Sequence, residues 1–167
     1  MNLLAFLPAV LLAAKAKHNI YFIDGFNCMG HSRVPNKKHV VIEKLKEINQ
    51  DNTDVVLVWD GRTDDGGYTR KEQDDDLTII TTRDGLTADD YILGEIQSIH
   101  ESGAKQLRVA VVTGDRKLRK QAHKLSRVCN KIVNPSVFWS RYRPRLAGLK
   151  HKDPSEYKIP PGTQAMP

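Results

Sequence analysis

The chain has 167 residues, 40% hydrophobic and 28% charged, which fits one globular domain of ordinary size with a real core and leaves no room for a second sizeable one. Its two cysteines, Cys28 and Cys129, stand far apart and outside any Cys/His cluster; this speaks against a zinc site and a disulfide framework and makes a reducing compartment the default. The net charge of +6 is unevenly spread: Lys105–Lys152 holds 14 Lys and Arg against one acid, Asp115, a surplus of +13 that leaves the rest at −7, and Asp60–Asp90 holds ten acids against four bases. An acidic half followed by a basic half suits carboxylates that take a cation beside lysines that take phosphates; two solvated faces of opposite sign are the plainer explanation.

In chain order, residues 1–17 form an apolar segment, a targeting element or a helix packed on the domain. Its run Leu3–Ala14 is too short to span a bilayer, so no membrane partner is expected. It contains no Arg, unlike a typical mitochondrial presequence, and it leaves the cytoplasm and an organelle (chloroplast or mitochondrion) both open. His18–Ile23 reads as a buried strand ending at Asp24-Gly25, and Pro35-Asn36 precedes a helical pattern with Val41, Leu45 and Ile48 on one face. Asp54–Trp59 (DVVLVW) is a near-continuous apolar run, the pattern of a central parallel strand covered on both faces, and it ends at Asp60-Gly61.

Arg62–Asp76 is polar, carries Gly66-Gly67 and reads as a loop. Leu77–Thr82 is a short β-branched strand, and Ala88–His100 a helix with Ile92, Ile96 and Ile99 as its apolar stripe. Leu107–Val112 is another buried strand, followed by a basic helix Arg116–Arg127 and a last strand Val128–Val133. The order β-α-β-loop-β-α-β-α-β predicts an α/β domain over 18–145 with parallel strands and right-handed crossovers. Residues 146–167 are expected to be a polar, flexible tail.

Three strands end on aspartate: Ile23-Asp24, Trp59-Asp60 and, after Thr113-Gly114, Asp115. Ligands of open parallel sheets bind beyond the C-terminal strand ends, where the strand order reverses, so these carboxylates are expected to share one crevice. Each has an ordinary explanation alone. Asp24 and Asp60 suit Asp-Gly turns, and Asp115 suits the N-cap of the helix after it. In Thr87-Ala88-Asp89-Asp90, Thr87 fits an N-cap with Asp90 at the position that completes the cap. Asp89 has no such account: it falls in line with Ile92, Leu93 and Ile96, and a carboxylate entering a buried stripe is costly unless paired or bound to metal. Asn27 follows the first strand end, placed to orient a water or a phosphate oxygen or simply to make a turn. Oxygen donors without His or Cys favour Mg²⁺ or Mn²⁺, and the matching chemistry is phosphodiester hydrolysis.

The motifs IDGFN (Ile23–Asn27), VWDG (Val58–Gly61), LTADDYI (Leu86–Ile92) and VVTGDR (Val111–Arg116) together resemble the NYN domain, a branch of the PIN-like ribonuclease superfamily, and most resemble its YacP-like group. The resemblance runs from about Tyr21 to Val133. It implies a three-layer α/β/α PIN-like sheet of strand order 3-2-1-4-5 and an endonuclease (a hydrolase) that cleaves single-stranded RNA, messenger or ribosomal, with Mg²⁺ or Mn²⁺. It carries the catalytic and metal-binding role onto Asp24, Asp89 and Asp115, with Asn27 beside them and Asp60, Asp90 and Thr113 in support. YacP-like relatives are associated with messenger-RNA cleavage on ribosomes, which makes the ribosome an expected partner. Gly114 stands where the family has another small residue, and Arg62–Asp76 is more acidic than the resemblance leads one to expect, placed to repel RNA or to recruit further cations.

The RNA grip is expected from bases flanking that site. Arg116, Lys117 and Lys120 lie on the helix that starts at Asp115, and Arg141, Arg143 and Arg145 interleave with aromatics in Phe138–Arg145. Phe138 and Trp139 themselves are assigned to the core. The competing reading is a catalytically inactive RNA-binding subunit that keeps the fold. A phosphatase with Asp-x-Asp after its first strand is disfavoured by Phe26, and a dinucleotide fold by the lack of a Gly-x-Gly-x-x-Gly loop. The sequence leaves the oligomeric state open.

Overall fold

The computed structural model describes residues 17–30, 36–47, 52–61 and 67–142. Nearly all of the N-terminal apolar segment, the tail 146–167, Ile48, Arg143 and Arg145 lie outside the described residues, and of Arg141 only the backbone is described.

The elements are β1 (His18–Asp24), α1 (Gly25–Cys28), α2 (Lys38–Lys46), β2 (Thr53–Trp59), β3 (Arg70–Asp74), β4 (Leu77–Thr81), α3 (Ala88–Ser102), β5 (Leu107–Val112), α4 (Arg116–Lys124), β6 (Cys129–Val133), α5 (Pro135–Val137) and a π-helical turn, Phe138–Tyr142. One six-stranded sheet runs β3-β4-β2-β1-β5-β6. All neighbours are parallel except β3 and β4, which form an antiparallel hairpin.

The apolar runs explain the layers. In a strand, successive side chains point to opposite faces, so runs such as VVLVW supply two cores at once. Phe22, Val56, Val58, Ile80, Val109 and Val111 face one side, where the stripe Ile92, Ile96 and Ile99 of α3 and Leu118 and Ala122 of α4 cover them. Ile23, Val55, Leu57, Trp59, Ile79 and Val112 face the other side, under Val41 and Leu45 of α2 and under Phe138 and Trp139. Phe138 and Trp139 are buried, as their sequence context predicts. The Trp139 indole N–H donates to the Cys28 carbonyl at 3.0 Å, tying the C-terminal segment to the end of α1.

The sheet departs from the five-strand expectation at one edge. Part of the segment read as a loop is strand β3, so the order gains a sixth member outside β4. Its sequence, RKEQD, holds no apolar residue, so hydrophobic periodicity cannot announce it. It is held by the ladder to β4, by a two-residue turn with Asp75 at φ 54°, and by Lys46, which pairs with Asp74 at 2.8 Å and Asp75 at 3.4 Å. Asp74 pairs with Leu77 at the start of β4, which puts the acids of this turn at the sheet edge opposite the strand C-termini. They stand away from those C-termini, and Asp64 and Asp65 of the same segment lie outside the described residues. Helix α4 is shorter than the predicted Arg116–Arg127: it ends at Lys124, and a tight turn then brings Val128 into the core.

Candidate active site

The chain passes from β4 across to β5, on the far side of β1, so the strand order reverses between β1 and β5. Asp24 ends β1, and Thr113-Gly114-Asp115 follows β5 directly beside it. A cleft of about 390 Å³ opens at this edge, lined by Asp24, Asn27, Asp60, Asp89, Asp90 and Asp115 together with Phe26, Thr87, Lys117 and Gln121. The predicted aspartates therefore meet in one place, as the switch-point argument requires.

Their roles differ. The Asp24 carboxylate, 3% exposed, caps α1 by accepting from the Asn27 backbone N–H at 3.2 Å. It also accepts from the Asn27 side-chain amide and from the Thr113 hydroxyl, the latter at 3.0 Å. Burial pushes its pKa up, and these hydrogen bonds hold it back. Asn27 reaches across the switch point as well, its Oδ1 accepting from Gly114 N at 3.2 Å. A Cβ on Gly114 would stand 2.9 Å from that oxygen, so the smallest residue at this position lets the amide approach. Thr113 is fully buried and links the two strand ends: its hydroxyl donates to Asp24 and accepts from the Asp115 backbone N–H at 3.0 Å.

Asp115 is an N-cap as well as a member of the cleft. Its Oδ1 accepts from the backbone N–H groups of Lys117 at 2.7 Å and Leu118 at 2.8 Å, starting α4. Asp60 and Asp90 act on α3. Asp60 Oδ1 accepts from Ala88 N at 2.6 Å, and Asp90 exchanges hydrogen bonds with Thr87, whose hydroxyl caps the Asp90 N–H at 3.1 Å and donates to Asp90 Oδ2 at 2.9 Å. Asp60 is itself fixed from below, where buried Thr82 joins the ends of β2 and β4 by accepting from Gly61 N at 3.0 Å and donating to Trp59 O at 3.3 Å.

Asp89 is the exception. It is half-buried, and among the described residues its carboxylate accepts no hydrogen bond. Burial first, and then the charges of Asp24, Asp115, Asp60 and Asp90, push its pKa up from 3.8 to about 6. Two of the three expected metal ligands thus have oxygens engaged by protein donors, while the third is held in a field of like charge with no hydrogen-bond donor among the described residues. Among the described residues no three His, Cys, Asp or Glu side chains draw together into a ready-made cation cage. The donor chemistry still fits a hard cation that keeps much of its water, as Mg²⁺ does, and takes only one or two carboxylates directly.

Of the expected RNA contacts, Lys117 stands in the cleft wall, whereas Arg116 and Lys120 are exposed outside its lining. Arg143 and Arg145 lie outside the described residues, as does the side chain of Arg141. Sequence reasoning missed Gln121 and Phe26 as lining residues. Gln121 was findable: it is one helical turn beyond Lys117 on a helix that starts at the site.

An α/β domain that gathers five aspartates and a lysine in one cleft at a strand-order reversal has the donor chemistry to handle phosphate esters. The chain belongs to the YacP-like NYN domain family, whose model matches residues 21–129. NYN domains are a branch of the PIN-like nuclease superfamily and are generally nucleases, so membership supports a ribonuclease-type function with RNA as substrate. No curated protein matches the chain. Among solved structures, an isochorismatase-like hydrolase from Alkaliphilus metalliredigens is similar with 16% identity and a TM-score of 0.31, over 76% of this chain and 99% of that one. That likeness is too slight to carry an argument.

Proposed function

We propose that this protein is a divalent-metal-dependent endoribonuclease that hydrolyses phosphodiester bonds of single-stranded RNA in the cleft of Asp24, Asp89 and Asp115. The observation that carries the proposal is Asp89: a half-buried carboxylate with no hydrogen-bond donor among the described residues, sharing an open cleft with four others. A fold keeps so unfavourable a cluster when a cation completes it.

Asp24, Asp89 and Asp115 are the residues that would hold Mg²⁺ or Mn²⁺, and the bound ion would neutralise the cluster, acidify the attacking water and steady charge on the phosphate. The chain's own residues do the positioning. Asn27 and Thr113 fix the Asp24 carboxylate and couple it to the Asp115 loop. Asp60 and Asp90 fix the first turn of α3 and with it the place of Asp89. Lys117, at the start of α4 in the cleft lining, is placed to neutralise a backbone phosphate, and Gln121 to donate or accept one turn further on. Messenger RNA on the ribosome remains the proposed setting, with the exposed bases Arg116 and Lys120 as outer contacts.

The test is cleavage of single-stranded and structured RNA with Mg²⁺ or Mn²⁺ by the wild type and by Asp89→Asn. The wild type should cut single-stranded RNA and lose this activity in chelator, and the variant should be inactive. Equal cleavage by both would sink the assignment, and salt-sensitive binding without turnover would favour an inactive RNA-binding subunit instead.

A further inference from the structure

The wall of the cleft is not wholly polar. Phe26 stands in it beside Asp24, Asn27 and Asp60, its ring half-buried, while Phe22 and Phe138, which serve the core alone, are fully buried. The nuclease reading gives Phe26 no task beyond its packing against the core at Trp59, and a half-buried aromatic ring among carboxylates is an odd choice for a wall whose only duty is to hold a cation.

The ring is also held with care. It meets Trp59 edge-on, with centroids 5.3 Å apart and planes at 82°. Trp59 is 2% exposed, and it fits there because residue 25 is glycine: a Cβ on Gly25 would collide with the indole. The short helix that carries Phe26 is capped by Asp24, so the carboxylate that lines the cleft also sets the ring's position. The Lys38 ammonium lies over the Phe26 ring, 4.9 Å from its centroid, and 4.8 Å from the centroid of Trp59, so it takes up a place on a ring face and helps to fix the ring.

We propose that Phe26 is a base-stacking residue: the nucleobase of a nucleotide next to the scissile phosphate lies on its ring from the cleft side. The inference rests on the nuclease reading and deepens it. Lys117 and a bound cation would hold phosphate in this cleft, but attraction by charge does not tell a single strand from a duplex. A base on an aromatic ring gives an attraction that accepts any base and weakens little with salt. It also favours single strands, because a paired base cannot leave its neighbours to lie on the ring without the loss of its pairing and stacking.

The experiment measures binding of a short single-stranded RNA in Mg²⁺ to full-length Asp89→Asn protein, alone and combined with Phe26→Leu or Phe26→Tyr. Leucine keeps the apolar packing on Trp59 but has no π-face, and a thermal melt confirms that the fold survives. The RNA is used intact and with a single abasic position moved along it. Phe26→Leu should weaken intact RNA roughly tenfold, the weight of one base–aromatic stack. One abasic position should cost the parent protein the same factor and cost Phe26→Leu nothing further. Phe26→Tyr should restore the affinity, and Phe26→Leu should leave the salt dependence unchanged. Losses from Phe26→Leu and from every abasic position that simply multiply would overturn the stacking assignment and leave the nuclease reading standing. Wild-type protein that neither binds nor cuts RNA in Mg²⁺ would overturn both.

Discussion

Asp89→Asn should make the metal-free protein more stable. The Asp89 pKa is pushed from 3.8 to about 6, by burial first and by the neighbouring aspartates second. At about 1.36 kcal/mol per tenfold change, this displacement caps the penalty for folding with Asp89 ionised at ~3 kcal/mol. The carboxylate is partly open to solvent, and screening reduces the figure to about 1.5 kcal/mol. The sign follows from linkage. The native pKa lies above the unfolded one, so the native state binds more protons between about pH 4 and pH 6, and this group costs the fold stability as pH rises through that window. Above it the penalty is constant, and below it there is none. Asparagine has the same shape and no charge. Melts in chelator near neutral pH should therefore show the variant about 3–6 °C above the wild type, with the gap closing toward pH 4. Adding Mg²⁺ or Mn²⁺ should raise the wild type and move the variant much less. A variant melting at or below the wild type in chelator near neutrality would refute the claim that Asp89 is held in an unrelieved negative field.

Asp115→Ala should cost both activity and about 1 kcal/mol of stability in urea unfolding, because it removes the N-cap of α4, whereas Asp115→Asn should keep the cap and lose cleavage alone. Thr113→Val leaves the Asp115 N–H without its acceptor and removes one of the three donors to the Asp24 carboxylate in a fully buried place, at a cost of about 1–3 kcal/mol in the same measurement, which Thr113→Ser should largely restore. Lys117→Ala should reduce the slope of RNA affinity against salt by about one and weaken all sequences alike, as expected of a phosphate contact in the cleft wall.

The fold was legible where burial writes a pattern. Runs such as DVVLVW and LRVAVV are apolar on both faces because both faces are covered, and the stripe of Ile92, Ile96 and Ile99 named the buried side of α3. Strand β3 was illegible for the same reason in reverse. An edge strand that buries nothing obeys ladder geometry and two ion pairs with Lys46, and neither leaves a mark in a polar sequence. The end of α4 was overrun because Arg127 continues a basic pattern, while the chain turns at Leu125 to bring Val128 inside.

The site was legible in its members and not in their division of labour. Residues at strand ends and in the first turn of α3 had to meet once the strands were parallel, so the five aspartates followed from topology. Which of them are tied by hydrogen bonds is a matter of ångströms. Asp115 and Asp90 do what their cap positions suggest, but Asp60 serves α3 across the sheet, accepting from Ala88 N, which no local spacing reveals. That division makes sense of the whole cluster. Four carboxylates are bound into the scaffold by donors that hold their positions whatever the cleft contains, and they surround one that is not. The scaffold thereby fixes a negative field at the place where Asp89 projects, and the relief of that field is left to whatever enters the cleft. A site built in this way gains affinity for a cation from strain already present in the empty fold. Neutralising Asp89 should therefore both stabilise the protein and disarm it.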